Sequence, residues 1–209
     1  MVDTKEARLK IFAREQVKAA LLKIGRQLVI DKGPEYLTAR KLSDASNTSV
    51  GTIYNTFANM ENYIQQQNML TLDELYAQMN LVAPQKNPFV NINRYVEAFS
   101  SFAIANRNLW MLLFDAHLHC SGDKYPFAYV RKFKRIEQLL DKEIARIYAN
   151  LSHAEKRVAA QVLEMALFSV SGFLTTPAWG SLRQVNRNNI CKLLLNTYLA
   201  GLATLRQGK

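Results

Sequence analysis

Apolar residues recur at spacings of three and four along almost the whole of this 209-residue chain, and only eight glycines and five prolines interrupt them. That period belongs to helices with one face turned to a core, and no stretch alternates as a half-buried strand would. The expected fold is all-α, with about nine helices whose ends fall where the pattern breaks. Gly33 and Pro34 close a first helix that runs from about residue 15, behind a basic extension that is either frayed or helical, and short helices follow near 39–46 and 50–56. Asn59 caps a long helix reaching about Val82 before Pro84, and Asn87 with Pro88 opens another to about residue 105. A helix over roughly 108–119 and a loop over 120–126 come next. Val130, Phe133, Ile136, Leu140, Ile144 and Ile147 then form one stripe of a long amphipathic helix. Ser152 and Glu155 have the spacing of a capping box for the helix after it, whose apolar face carries Val158, Val162, Met165, Ala166, Ser169 and Phe173. A break over 175–184 precedes a last helix from about Asn186 to Arg206.

The most informative segment is 33–57, GPEYLTARKLSDASNTSVGTIYNTF, which fits two helices of about two turns each around a very short turn. Thr38 can cap the first and Leu42 faces inward, while Asn47 sits where the turn wants a left-handed backbone. Ser49 can cap the second helix, which aims its free N–H groups and positive dipole end outward. Ile53 and Phe57, four apart, share the core face. Asn55 lies about 200° around the helix from Ile53 and so points away from the core, on the same side as Gly51. Val50, Thr52, Tyr54 and Thr56 flank them with methyls and hydroxyls. Such a face suits a major groove: methyls read thymine, an Asn pairs with adenine, hydroxyls hold phosphates.

Thr38, Arg40 and Leu42, followed by Ser49, Gly51, Thr52, Ile53, Tyr54 and Phe57, resemble in register and without a gap the signature of the TetR family, the tetracycline-repressor-like regulators. The specific resemblance covers about residues 20–65; length and helix count extend it to the whole chain. It implies a three-helix DNA-binding domain over residues 1–58 and a helical ligand-binding and dimerisation domain over 59–209. Arg40 would reach a base or phosphate, Val50, Gly51, Thr52 and Asn55 would line the recognition helix, and Tyr54 would bond a phosphate. Thr38, Lys41 and Ser49 complete the expected DNA-binding set. Two departures stand out. Ser46, Asn47 and Thr48 replace the usual Ala-Gly-Val turn, and Met60 stands where a phosphate-binding lysine is common, a loss that Lys41 or the extension residues Lys5, Arg8, Lys10 and Arg14 would offset.

Aromatic residues crowd 89–133, and the resemblance implies a cavity for an apolar or amphipathic effector near Phe99, Phe102, Trp110, Phe114, His117 and Phe168. Two recognition helices bound one turn of duplex apart, about 34–36 Å, require a homodimer. Small residues on the last two long helices, Ser169, Gly172, Thr197 and Gly201, with Leu163 and Leu194 beside them, form the expected interface. An effector in the cavity would shift the helix starting at Asn59 and change the separation of the recognition helices. A regulator of this kind is expected to be a repressor released by its effector. The alternative is an architectural or cell-division-linked DNA-binding protein on the same scaffold, marked by a filled core without a cavity.

The rest of the chain excludes other classes. Hydrophobic residues are 49% and charged residues 21%, an ordinary globular balance. No apolar run approaches the roughly 20 residues of a membrane span and the N-terminus has no signal-peptide stretch, so a soluble cytoplasmic bacterial protein is expected. The net charge of +10 fits a polyanionic partner, but residues 1–66 hold ten basic against seven acidic side chains, so the charge is not concentrated in the DNA-binding segment. Cys120 and Cys191 read as reduced thiols. His117 and His119, two apart on a helix, point about 200° apart and cannot share a metal ion. Arg131, Lys132, Lys134 and Arg135 read as a solvated basic face. No catalytic triad, carboxylate pair or phosphate loop has workable spacing, so neither enzyme activity nor a cofactor is expected.

Overall fold

Side-chain caps set the starts of five helices. Thr38 accepts the Lys41 N–H, Ser49 that of Thr52, Asn59 that of Asn62 and Asn87 that of Phe89. Ser152 and Glu155 close a reciprocal box, each side chain accepting the other's backbone N–H. In this computed structural model residues 2–118, 125–176 and 187–205 are described, the side chains of 2–7, 9–10, 118, 187–188 and 205 excepted. The described residues form nine α-helices and one short 3-10 turn, Pro34–Tyr36, and no strand. The helices are α1 (Val2–Lys32), α2 (Ala39–Ser46), α3 (Val50–Phe57), α4 (Met60–Asn80), α5 (Pro88–Ala105), α6 (Arg107–Leu118), α7 (Phe127–Ile147), α8 (His153–Thr175) and α9 (Arg187–Leu205). The side chains of Lys5 and Lys10, residues His119 and Cys120, and most of the expected loops at 120–126 and 175–184 lie outside the described set.

The basic extension before residue 15 takes the helical alternative. α1 begins at Val2 instead of about residue 15, because residues 2–14 contain no Gly or Pro and are rich in Ala, Leu, Lys, Arg and Glu, the strong helix formers. Nothing in that stretch stops a helix once it has started.

The chain divides into two compact units, residues 1–70 and 71–209, and α4 contributes to both. In the first unit α1 packs against α2, α3 and the 3-10 turn. Its core is Leu21, Val29, Leu37, Leu42, Ile53, Phe57 and Tyr63, all buried, with the Phe57 ring edge-on to Tyr63 at 4.7 Å. The start of α4 belongs here because it is tied to the backbone of α1. The Tyr63 hydroxyl donates to the Leu21 carbonyl at 2.7 Å, and Gln67 Nε2 donates to the Leu22 carbonyl at 2.7 Å and to the Tyr63 oxygen at 2.9 Å. Gly25 makes the approach possible, since a Cβ there would lie 1.9 Å from the Tyr63 oxygen.

In the second unit α5 packs on α6, α7, α8 and α9, and α8 on α6, α7 and α9. Ile92, Phe99, Trp110, Leu113, Ile136, Leu140, Ile144, Leu163, Leu167 and Leu195 fill the centre. A buried polar latch holds α5 to α7: the Glu143 carboxylate takes Arg146 at 2.6 Å and Asn91 at 3.1 Å, and Asn91 also bonds both backbone groups of Gln85. Asp73 on α4 pairs with Lys132 and Arg135, and Arg135 stacks over Tyr76. Half of the expected basic face of α7 is therefore engaged, while Arg131 and Lys134 are exposed.

α8 is apolar nearly all round. Ala159, Ala160, Leu163 and Leu167 face the core, whereas Val158, Val162, Met165 and Phe173, the face picked out in the sequence, are exposed. By length and composition this one described helix would qualify to cross a membrane, which the expectation from apolar runs did not foresee. Glu164 interrupts the run, and the Leu163 side is packed inside the bundle.

Candidate nucleic-acid interface and ligand cavity

The turn between α2 and α3 is built from the polar residues that replace the usual ones. Asn47 adopts φ 51° and ψ 33°, the left-handed conformation that Asn tolerates, and its N–H and that of Thr48 both donate to the Ser43 carbonyl. Ser43 Oγ donates to the Thr48 carbonyl at 2.6 Å and Ser46 Oγ to the Leu42 carbonyl at 2.6 Å. The turn thus satisfies itself and leaves α2 and α3 in a fixed relation.

On α3 the core and outer faces separate as the helical period dictates. Ile53 and Phe57 are buried; Val50, Gly51, Tyr54 and Asn55 are exposed, and Thr52 is half-buried. Thr38, Arg40, Lys41 and Ser49 are exposed too, with Lys41 lying over the Tyr36 ring. All nine residues expected at DNA therefore sit on the helix-turn-helix, none of them in the core. Gly51 is the most telling. Among the described residues a Cβ there would meet only Ser49 Oγ at 3.7 Å, so no packing among them explains a residue that weakens a helix by up to about 1 kcal/mol. Arg14, one of the extension residues named from the sequence, donates from Nη2 to the Asn55 carbonyl at 3.1 Å and so places a cation at the carbonyl end of α3. The long α1 that brings it there follows from the strong helix formers of the extension.

The second unit holds a cavity of about 450 Å³, lined by Phe114, His117, Tyr125, Tyr129, Val130, Phe133, Glu164, Met165, Phe168 and Ser169. Of the residues expected there, Phe114, His117 and Phe168 line it. Phe99, Phe102 and Trp110 stand behind that wall, linked to it where Trp110 meets Phe168 with ring centroids 5.3 Å apart. His117 Nδ1 is 2.7 Å from the Leu113 carbonyl, which can only accept, so Nδ1 carries the proton. Burial holds its pKa below the ordinary histidine value, against the raising effect of that bond. Glu164 is 8% exposed and its Oε1 has no hydrogen-bond partner among the described residues. Burial first, then the charge of Glu137, pushes its carboxyl up to about 8. The sequence signal for Glu164 was available: a lone carboxyl between Leu163 and Leu167 on an apolar helix.

The residues expected at a dimer contact separate into two groups. Leu163 and Gly172 face the interior, and a Cβ on Gly172 would lie 2.3 Å from the Phe114 ring, so its small size serves the α6–α8 approach. Ser169, Thr197 and Gly201 are exposed, Leu194 is half-buried, and among the described residues nothing lies within 4 Å of where a Gly201 Cβ would be. Among the described residues no group of three or more His, Cys, Asp or Glu is arranged to hold a metal ion, and Cys191 is a buried free thiol.

No protein-family model matches the sequence, and no curated protein does. Solved structures match over nearly the full chain. A possible TetR-family regulator from Streptomyces coelicolor superposes with a TM-score of 0.69 at 13% identity, covering 90% of this chain and 99% of that one. The FadR repressor of Thermus thermophilus, solved with lauroyl-CoA, gives 0.64 at 14%, covering 87% and 93%. The fatty acid degradation regulator FadR of Bacillus halodurans gives 0.60 at 18%, covering 88% and 98%. An all-helical chain with this helix-turn-helix and these neighbours has the fold of the TetR-family transcriptional regulators.

Proposed function

We propose that the protein is a homodimeric, sequence-specific DNA-binding regulator of the bacterial cytoplasm, a repressor whose hold on its operator is released by a small molecule in the cavity of the second unit. The observation that carries the DNA-binding reading is the outer face of α3, where Gly51 leaves the helix backbone open beside exposed Asn55, Tyr54 and the Ser49-capped N-terminus. A backbone that approaches a groove closely and a dipole end at phosphate are what such a face offers. The cavity supports an effector-controlled regulator over an architectural one, since a filled core would have no volume to give a ligand. α4 contributes residues to both units, which makes it the route by which a bound ligand would bias the DNA-binding state.

Gly51→Ala separates folding from binding. The added methyl has room, so the fold is expected to gain a few tenths to about 1 kcal/mol, while affinity for a site obtained by in vitro selection falls at least tenfold. Arg40→Ala and Tyr54→Phe are expected to weaken the same site with unchanged helical spectra. Gel-shift titration reads these affinities; full affinity in all three variants would place DNA on another surface.

For the dimer, exposed Val158, Val162, Met165 and Phe173 on α8 and Leu193 on α9, with the open Gly201, offer an apolar area and close helix approach to a second copy. Val162→Lys with Leu193→Lys puts four like charges into a symmetric contact. Sedimentation equilibrium is expected to show a monomer that keeps its helicity, and a persistent dimer would move the interface elsewhere.

A further inference from the structure

Resting on the reading of the cavity as an effector site, we propose that its ligand is a lipophilic organic cation, an alkyl or aryl ammonium-type group held between the cavity's aromatic rings and the Glu164 carboxylate. Three observations converge. The cavity wall is dominated by rings, Phe114, His117, Tyr125, Tyr129, Phe133 and Phe168, which present electron-rich faces to a cation as well as apolar area. Tyr125 and Tyr129 stack 4.8 Å apart and His117 stacks on Tyr125 at 5.3 Å, so these rings are already ordered before a ligand arrives. The acidic group in that wall, Glu164, is more than nine-tenths buried and has an oxygen without a hydrogen-bond partner among the described residues.

Charge makes the choice between ligand classes. No Lys or Arg is among the described residues lining the cavity, and His117 is neutral near pH 7, so a carboxylate or phosphate ligand would find no counter-ion on that wall. It would also face Glu164. A cation instead supplies what Glu164 lacks, and desolvating both partners together strengthens their attraction. The ionisable groups that face Glu164 are His117 from α6, Tyr125, Tyr129 on α7, and Glu137 on α7, whose charge adds repulsion that a cation relieves.

Binding of a cation then requires Glu164 to lose its proton, so affinity is linked to pH. With the free carboxyl titrating at about 8, apparent affinity is expected to rise about tenfold from pH 7 to pH 9. His117, already neutral, adds nothing over that window.

The test is calorimetric titration of the full-length, DNA-free protein with decyltrimethylammonium, decanoate and 1-decanol, which share one chain and differ in head-group charge. The cation is expected to bind at least tenfold tighter than either of the others at pH 8.5, and Glu164→Gln to abolish that preference and its pH dependence while leaving 1-decanol unchanged. Tightest binding of decanoate, or a cation preference that survives Glu164→Gln, overturns the proposal. The gel shift on the selected site keeps the two ideas apart. Release of DNA by decanoate would retain the effector-controlled regulator and discard the cation, whereas a protein that binds no duplex discards the regulator whatever the titration shows.

Discussion

Gly25→Val is expected to unfold the first unit at temperatures where the parent is native, and with it to abolish the duplex binding proposed for that unit. A Cβ at this position would lie 1.9 Å from the Tyr63 oxygen, 2.9 Å from its Cζ and 3.2 Å from Leu37 Cδ1, and no rotamer avoids a clash made by the Cβ itself. Tyr63 is fully buried, so it must leave the core or push α4 off α1. Either way the bonds to the Leu21 and Leu22 carbonyls are lost. Overpacking and orphaned buried polar groups together cost roughly 3–5 kcal/mol, a large part of what a small helical unit has. Urea unfolding followed by circular dichroism measures the loss. Adding Tyr63→Leu to Gly25→Val should recover part of it, because the pair in conflict is then relieved. A Gly25→Val protein as stable as its parent would mean that α1 and α4 are not in contact at Tyr63.

The second large effect concerns Glu164 and runs against the usual direction for a carboxyl. Its proton is held to about pH 8 in the folded chain, against an ordinary value of 4.5. Below pH 4.5 both states are protonated and the residue contributes no pH dependence. Between 4.5 and 8 the unfolded chain has lost the proton and the folded chain keeps it, so stability falls as pH rises, by roughly 1.4 kcal/mol per unit. Above pH 8 the penalty is constant, on the order of 5 kcal/mol. Glu164→Gln fills the same space without the ionisable group. The stability difference between variant and parent is therefore expected to grow from near zero at pH 4 to several kcal/mol in favour of the variant at pH 8.5, then level off. Denaturant midpoints at several pH values read it, and a difference that does not change with pH would remove Glu164 from the protein interior.

What could be read from the sequence was local. The caps at Thr38, Ser49, Asn59, Asn87 and Ser152 act within three or four residues, and the Asn47 turn needs only its own backbone, so these elements emerge with ends close to the observed ones. The outward face of α3 follows from the same short-range arithmetic, once Ile53 and Phe57 are assigned to the core. The cavity is different in kind. Phe99 and Trp110 look no different in sequence from Phe114 and Phe168, and only the packing of α5 against α6 and α8 decides that the first two are filled in and the others face a void. Tyr125, Tyr129 and Glu164 enter the wall through the α7–α8 contact, a long-range pairing that periodicity does not encode. Small residues mislead for a related reason: Gly172 is small for Phe114 within the chain, Gly201 for nothing among the described residues, and the two are indistinguishable until the neighbours are known.

Tyr63 and Gln67 bind the start of α4 to main-chain oxygens of α1, and α1 packs against both α2 and α3, so in the proposed regulator a displacement of the start of α4 would carry these helices as one piece. The contacts between α3 and each base would then survive intact in every displaced head, and only the span between two heads would change. In the proposed regulator, a ligand acting through such a clamp would lower affinity by the same factor on strong and weak operators alike, so the ranking of target sequences in its presence would match the ranking without it.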